Sequence, residues 1–332
     1  MEIGKETEER AEFEQSSQVR LEVRENEAKS ILYRLNVPKL PFHWGANPYR
    51  GCQHDCWYCY ARYTHEYLQL PLGMFQHVVF AKVNAATVLR KELMRRSWKR
   101  ELVNLGTVTD PYQPIERRYR ITRQMMQVFM ECDTPVVLST KSHLVLDDLD
   151  LLTEFSRKLF LNIVFSLTST DEKLKRMLEP STATVKQRFK AAEQLAKAGI
   201  TVGVVMSPIF PALTDSRENM EKVVRMAADS GVSYFLADTL TLRSSARQYL
   251  LPYLEEHFPE VVPRYKALYR GDYPPREIVK GVKAMQYELA AEYGVNHYDR
   301  MLYTPPAEAQ SDESAPAETE SGQLELIHLT KK

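Results

Sequence analysis

Short runs of β-branched and apolar residues alternate along the chain with longer stretches in which apolar residues recur every three or four positions. The short runs predict strands at 102–108, 135–139, 161–167, 201–206 and 233–237, with a further strand near 46–49. The longer stretches predict helices at 85–98, 122–132, 146–158, 185–198 and 217–230. Gly199 and Gly231 directly follow the last two of these helices, where C-terminal caps belong.

This alternation predicts an α/β protein with a parallel sheet and right-handed crossovers. Six strands are fewer than the eight of a closed barrel, so the pattern allows either an open doubly wound sheet or a curved partial barrel. After residue 243 the pattern becomes helical, at 248–257, 264–269 and 276–293. We interpret this last part as a C-terminal helical extension that packs on the core.

The two ends of the chain have a different composition from the middle. Residues 1–30 are rich in Glu, Gln and Arg, and residues 304–332 carry Pro, Ala, Ser and Glu in low-complexity order. Both segments hold few apolar anchors, so we expect a disordered lead-in and a disordered tail. The expected core then spans 31–245, and the helical extension spans 246–303.

Composition and charge narrow the class of protein. The chain has 332 residues, of which 44% are hydrophobic and 27% charged, as in ordinary globular proteins. Lys plus Arg and Asp plus Glu both total 44, and this zero net charge argues against a dedicated nucleic-acid coat. There is no apolar run near the roughly 20 residues of a spanning helix, and the charged N-terminus is not a secretory signal. We therefore expect a cytoplasmic protein.

Three of the four cysteines lie close together, at Cys52, Cys56 and Cys59, with the spacing C-x3-C-x2-C. Three thiolates on one loop can hold three corners of a cuboidal iron–sulfur cluster and leave the fourth corner to a cofactor. The alternative is a zinc site that adds His54 or His65 to the three cysteines. A disulfide framework is disfavoured in a chain of this length without a signal peptide.

The cysteine spacing resembles that of the radical S-adenosylmethionine (SAM) superfamily. The flanking residues Asn47–Cys52 and Tyr60–Arg62 are similar to the spore photoproduct lyase-like branch, and the resemblance runs from about residue 39 to about residue 243. It implies a radical SAM partial (β/α)6 barrel, a 4Fe–4S cluster on the three cysteines, and SAM on the fourth iron. It also implies that an electron from a flavodoxin or ferredoxin type of donor cleaves SAM, and that the resulting 5′-deoxyadenosyl radical abstracts hydrogen from a substrate.

Residues at the carboxyl ends of strands carry function in parallel α/β folds, and four residues of this chain are candidates for contacts with SAM. The resemblance implies that Tyr58 lies along the adenine and that Asp110, in a Thr-Asp-Pro-Tyr-Gln-Pro run, accepts from the SAM ammonium. It further implies that Lys141 pairs with the SAM carboxylate, and Ser166 is a candidate for the ribose hydroxyls. The structural alternatives are a packing tyrosine, an Asp-Pro turn, a solvated lysine and an ordinary strand hydroxyl.

Other segments are candidates for the substrate side of the site. Thr239 and Arg243 follow the sixth strand, and the Pro-rich run 206–215 follows the fifth, where it can shield a radical from water. The basic run Arg117–Arg120 is placed to steer an anionic substrate or a nucleic acid, or is simply a solvated surface.

The match to the branch fails at one position. Spore photoproduct lyase uses a cysteine at the end of the second strand to return a hydrogen atom, whereas this chain reads Leu105–Asp110 there, without sulfur. Cys132 falls late in a predicted helix, where we expect it to be a small buried apolar residue. The sequence therefore does not predict thymine-dimer repair, and it leaves the substrate and the catalytic residues unknown. A non-catalytic zinc or nucleic-acid-binding module and a radical SAM enzyme acting on DNA or RNA stay open as alternatives.

Overall fold

The computed structural model describes residues 20–36 and 41–303. Its strands are β1 (Glu22–Asn26), β2 (Tyr33–Arg34), β3 (Trp44–Ala46), β4 (Tyr49–Arg50), β5 (Val78–Lys82), β6 (Val103–Leu105), β7 (Val136–Thr140), β8 (Leu161–Leu167), β9 (Thr201–Ile209) and β10 (Tyr234–Thr239). Its α-helices are α1 (Tyr63–Glu66), α2 (Ala85–Leu93), α3 (Glu116–Tyr119), α4 (Ile121–Glu131), α5 (Leu149–Lys158), α6 (Glu172–Leu178), α7 (Val185–Lys197), α8 (Arg217–Asp229), α9 (Ser244–His257), α10 (Val262–Leu268) and α11 (Arg276–Glu292).

The larger sheet has seven strands in the order β2-β3-β6-β7-β8-β9-β10. All neighbouring pairs from β3 to β10 are parallel, and β2 is antiparallel to β3. The parallel strands follow each other in chain order, whereas a doubly wound sheet reverses its order at a switch point. This confirms the partial barrel. Within the described residues no ladder joins β10 to β2 or β3, so the sheet is open.

The parallel strands are buried on both faces, which explains their nearly continuous apolar sequence. The outer face carries residues such as Ile163 and Val204, which belong to the core shared with the surrounding helices. The inner face carries Val137, Val164 and Val205, which pack together inside the curved sheet. At the ends of α7 and α8, Gly199 and Gly231 have φ values of 82° and 70°, as the predicted caps require.

The C-terminal segment packs in two places. Helix α11 lies against β10, where the Gln286 Oε1 accepts from the Ala237 N–H at 2.8 Å. Residues from α9 and α10, among them Leu250 and Tyr265, instead form a cluster with Cys56 and Tyr58 of the cysteine loop. The segment therefore covers both the last strand and the cysteine loop, and the domain boundaries at 31, 245 and 303 stay predictions.

A second, three-stranded sheet was not predicted. It has the order β1-β5-β4, with β1 parallel and β4 antiparallel to β5. Strand β1 falls inside the segment 1–30 that composition predicted to be disordered, and this prediction is wrong for β1 because Val23 packs against the core and the strand pairs with β5. Residues 1–19 and the predicted disordered tail, 304–332, lie outside the described residues.

The sequence predicts no membrane-spanning segment, and the lengths and compositions of the helices bear on this prediction. Among the described residues, none of the helices combines the length and the apolar composition that crossing a bilayer requires.

Candidate metal and cofactor site

The carboxyl ends of the parallel strands open into a cavity of about 270 Å³. Cys52, Cys56 and Cys59 line this cavity, and all three are free thiols. The residues predicted from the sequence for SAM and for the substrate side line it as well: Tyr58, Asp110, Lys141, Ser166, Thr239 and Arg243. The fold thus brings these nine residues to one cavity, while their individual roles stay predictions.

The cysteine loop needs a glycine at its start. Gly51 has a φ of 83°, and a Cβ there would lie 2.6 Å from the Val78 carbonyl oxygen. Its neighbour Cys52 donates its backbone N–H to the Phe75 carbonyl at 3.1 Å. The loop therefore lies directly on the segment that leads into β5, which leaves no room for a side chain at position 51.

Arg62, the last residue of the Tyr-Ala-Arg signature, holds the end of the same loop. Its guanidinium is fully buried and donates to the Cys56 carbonyl and to the Asp55 carboxylate, each at 3.1 Å. It also lies 3.5 Å from the centroid of the Tyr249 ring, on α9. Arg62 therefore fixes the backbone between Cys56 and Cys59.

The donor set is compatible with an iron–sulfur cluster. Burial raises the pKa of the Cys56 and Cys59 thiols, so a bound cation is required to hold them as thiolates. In the described part of the chain, no group of three or more His, Cys, Asp or Glu side chains is arranged to hold a metal ion. A cuboidal cluster carries each thiolate on a different iron, so the three thiols need to line one cavity rather than converge on one point.

The two histidines of the zinc alternative are engaged elsewhere. The His54 Nδ1 lies 3.2 Å from the Asp110 carboxylate, and although burial acts to lower its pKa, the charges of Asp110 and Cys52 raise it to about 10. The His65 Nε2 pairs with the Val78 carbonyl at 2.9 Å, and its ring packs on Phe75. His54 lines the cavity but is bonded to Asp110, whereas His65 is absent from the lining.

The Asp110 carboxylate links the segment that follows β6 to the end of β7. One carboxylate oxygen accepts from the Tyr112 N–H at 2.9 Å and from the Thr140 hydroxyl at 2.7 Å. The other accepts from the Lys141 N–H at 2.7 Å and faces His54. Burial acts to raise its pKa, but these donors and the His54 charge lower it to about 2. Asp110 is therefore a carboxylate whose oxygens already accept four bonds.

A buried ion pair beneath Tyr58 escaped the sequence-based assignment of function. The Tyr58 hydroxyl donates to Glu179, and Glu179 pairs with Arg188. Burial acts to raise the pKa of Glu179, but the charges of Arg188 and Lys141 hold it below its usual value. Nothing in the sequence pattern of α7 marks Arg188 as the partner of Glu179.

The same pair reaches two predicted SAM residues. Arg188 donates to the Ser166 carbonyl at 2.7 Å, and the Lys141 Nζ lies 5.9 Å from the centroid of the Tyr58 ring. Glu179 and Arg188 pair with each other behind the cavity lining, so Lys141 is the one of these three charged groups that reaches this corner of the cavity. Such a corner suits an anionic group of a ligand.

Other predicted features fall into place around the cavity. Ser207 and Pro208, near the end of β9, line the cavity. From the loop that follows β9, the Phe210 ring meets the Tyr58 ring edge to face at 5.4 Å. Cys132 follows α4, packs partly buried against the core and does not line the cavity, as predicted. Asp238, which was not predicted, lines the cavity beside Thr239.

The basic run after the Asp110 loop is not a free positive surface. Arg117 pairs with Asp147 at 3.2 Å, and Arg120 pairs with the buried Asp148 at 2.7 Å. Arg123 also donates to Asp148, at 2.9 Å. These carboxylates pair with Arg117 and Arg120, whereas Arg118 of the same run forms an ion pair with neither of them, so steering of an anionic substrate or nucleic acid stays a prediction.

Comparisons of the sequence and of the structure each identify proteins that are similar to this chain. An uncharacterised protein of Mycobacterium tuberculosis (strain H37Rv) is 38% identical over 268 residues, which cover 80% of this chain and 79% of that protein. A spore photoproduct lyase variant has a TM-score of 0.64 at 16% identity, covering 82% of this chain and 80% of that chain. A second variant, with dinucleoside spore photoproduct, has a TM-score of 0.63 at 15% identity, covering 82% and 79%.

At these identities the solved structures show a shared fold, and the family assignment comes from the sequence match. The model of the Radical SAM superfamily matches residues 46–227, which include the cysteine loop and the strands β6 to β9. Since this match covers more than half of the chain, the protein belongs to the radical SAM superfamily of enzymes.

Proposed function

We propose that this protein holds a 4Fe–4S cluster on Cys52, Cys56 and Cys59 and uses it to cleave SAM reductively. The observation that carries the proposal is the shared cavity, in which three free thiols adjoin the polar ends of the parallel strands. When bound and reduced, the cluster supplies the electron that breaks a sulfonium C–S bond of SAM, giving methionine and a 5′-deoxyadenosyl radical that takes a hydrogen atom from the substrate.

The side of the cavity that carries Tyr58, Lys141 and Ser166 is proposed to orient SAM. The Tyr58 ring offers a flat face to the adenine, and its hydroxyl is fixed by Glu179. The corner of the cavity that Lys141 reaches suits the SAM carboxylate. Ser166 faces the same cavity and is proposed to bond the ribose hydroxyls.

Asp110 is proposed to act on the SAM ammonium through its charge. Its oxygens are occupied by donors from the Tyr112 backbone, Thr140, Lys141 and His54. Because it is buried and ionised, its charge acts in a medium that screens it weakly, and the adjacent His54 offsets part of that charge. The same four bonds hold the strand ends in place.

The lower part of the cavity is proposed to keep water away from the radical. Val137, Val164, Val205 and Leu236 line it from four successive strands. Phe210 closes the side next to Tyr58. An apolar lining excludes solvent from a reactive intermediate.

We do not propose that this protein acts on the substrate of the solved structures that it resembles. Those structures include spore photoproduct lyase with dinucleoside spore photoproduct. Here the cavity wall at Gly106 and Thr107 carries no thiol, and the one cysteine beyond the triad, Cys132, lies outside the cavity.

Anaerobic reconstitution tests the proposal. Protein loaded with iron and sulfide, then reduced with dithionite in the presence of SAM, is expected to release 5′-deoxyadenosine, detected by liquid chromatography and mass spectrometry. Replacement of Cys52, Cys56 or Cys59 by alanine should abolish the product, whereas Cys132→Ala should retain it. Equal activity in the triad variants and the parent, or no product from the parent, would overturn the proposal.

A further inference from the structure

The part of the cavity farthest from the cysteine loop, here called the lower chamber, has no occupant in the proposed function. Its lining is apolar: Val137, Val164, Val205 and Leu236 come from the inner faces of β7 to β10, and Leu35, Phe42 and Met301 lie at its base. Two residues further along each of the four strands, toward the cysteine loop, the cavity lining becomes polar, with Ser139, Ser166, Ser207 and Asp238. The cavity therefore has a polar level next to the thiols and an apolar level below it.

The charged groups of the cavity are confined to the polar level. Among the described residues, the charged or titratable side chains that adjoin the three thiols in the lining are on the cysteine loop or at or after the carboxyl ends of strands: His54, Asp110, Lys141, Asp238 and Arg243. A charged group of a ligand would find no counter-ion in the lower chamber, and its loss of hydration would not be compensated. The lower chamber therefore suits an uncharged group.

A tyrosine on a glycine forms part of the base of the lower chamber. The Tyr234 ring lies on Gly203 of the neighbouring strand, where a Cβ would overlap the ring. The Asn162 carboxamide donates to the Tyr234 hydroxyl at 2.8 Å. This part of the base is therefore fixed by packing, and its polar atoms are already paired with each other.

Asn104 is a second buried asparagine near the lower chamber, and its carboxamide lacks a partner. Val137 is in register with Asn104 on one side and with Asn162 on the other. Asn104 lines the cavity and is 9% exposed, and its carboxamide oxygen is buried without a hydrogen bond to any described residue. A buried amide without a partner lowers stability. Its place in the lining of an uncharged chamber indicates that a ligand completes its bonding.

We propose that the lower chamber binds an uncharged, largely apolar part of the substrate and that Asn104 bonds the one polar group of that part. The inference rests on the proposed function, because that function places the radical in the same cavity. A carboxamide has both a donor and an acceptor, so the polar group is a hydroxyl, a carbonyl or an amide. This bond fixes which carbon of the apolar body faces the polar level, and Asn104 is therefore a specificity-determining residue.

Two leucine substitutions test the state of Asn104 without any ligand. Asn104→Leu removes an unpaired amide at similar volume and should raise the Tm by about 2 °C. The matched control, Asn162→Leu, breaks the bond to Tyr234 and should lower the Tm. Differential scanning calorimetry measures both variants. A lower Tm for Asn104→Leu would show that its amide is bonded within the fold, and would overturn its role as a ligand contact.

Two probe molecules test the lower chamber itself. Carbostyril, a bicyclic lactam, and coumarin, the lactone of the same shape, differ in that only the lactam carries an N–H. The reconstituted protein, without SAM or reductant, should bind carbostyril about tenfold more tightly than coumarin in isothermal titration calorimetry. Asn104→Leu should bind the two probes with equal Kd, and Val164→Phe, which fills the chamber, should bind neither.

Three results would overturn the inference: no binding of either probe by the parent, equal affinity of the parent for both, or an unchanged preference for carbostyril in Asn104→Leu. None of these measurements depends on cleavage of SAM. Absence of 5′-deoxyadenosine from the parent would instead contradict the proposed function, while probe binding would still report on the lower chamber.

Discussion

At the scale of single residues, the Glu179–Arg188 pair is expected to be costly to break. Both side chains are at most 2% exposed, and Arg188 also bonds two carbonyls and a hydroxyl. Replacing Arg188 by methionine leaves a buried carboxylate without its partner, so we expect the free energy of unfolding to fall by about 3 kcal/mol. Urea denaturation at constant m-value measures this loss.

Arg217→Met is the matched control for that measurement. Arg217 pairs with Glu288, but both side chains are about half exposed, so the control should cost at most about 1 kcal/mol. Equal losses in the two variants would show that the buried pair has no special role in stability.

Glu116 is expected to make the free energy of unfolding fall as the pH rises. Burial raises its pKa to about 7 despite the bond from the Tyr49 hydroxyl. Because the folded pKa lies above the unfolded value, the contribution is present below about pH 4.5 and is lost as the pH rises to about 7. Relative to Glu116→Gln, the parent should therefore lose on the order of 3 kcal/mol across this window in urea titrations. Parallel profiles would contradict the assignment.

Lys141 is expected to affect SAM rather than the metal. If its ammonium pairs with the SAM carboxylate, Lys141→Gln should raise the Kd for SAM about tenfold, a loss of roughly 1.4 kcal/mol. The iron content should stay the same, since Lys141 holds no thiol. Equilibrium dialysis of the reconstituted protein measures the affinity, with the exposed Lys158→Gln as control. Unchanged affinity would remove Lys141 from the SAM site.

At the scale of elements, helix α9 and the cysteine loop are held together by an aromatic stack. The Trp57 ring stacks on Tyr253 at 4.1 Å and on Tyr249 at 4.8 Å. Trp57→Ala removes both contacts, so α9 should lose about 2 kcal/mol of protection, seen as roughly thirtyfold faster amide exchange in residues 244–257. Trp57→Phe keeps a ring in place and should lose much less. Identical exchange in both variants would show that α9 is held by other contacts.

The elements themselves were predictable where the pattern was local. The strands β7 to β10 are β-branched runs buried on both faces, and the helices between them carry one apolar face, so both periods are visible in the sequence. The sheet β1-β5-β4 was not, because β4 has two residues and its partners lie far along the chain. Likewise, the period of α11 reveals a helix but not that it packs on β10.

At the scale of the whole molecule, the sequence located the site but not its internal bonding. The cysteine spacing, together with the rule that functional residues lie at strand ends, predicted a site that includes Tyr58, Asp110, Lys141 and Ser166. In the structure all four line one cavity. The four bonds to Asp110 and the pairing of Arg188 with Glu179 depend on side chains that meet only after the strands curve. The pairing of Arg117 with Asp147 neutralises charge across 30 residues, which a local count of charges misses.

Electron paramagnetic resonance of the reduced, reconstituted protein, recorded with and without SAM, tests the central claim most directly. Three cysteine ligands leave one iron open, so the account predicts about four iron and four sulfide ions per chain and a reduced-cluster signal that SAM changes. The Cys132→Ala variant should give the same pair of spectra. A tightly bound, EPR-silent zinc ion, or a cluster signal that SAM leaves unchanged, would contradict the account.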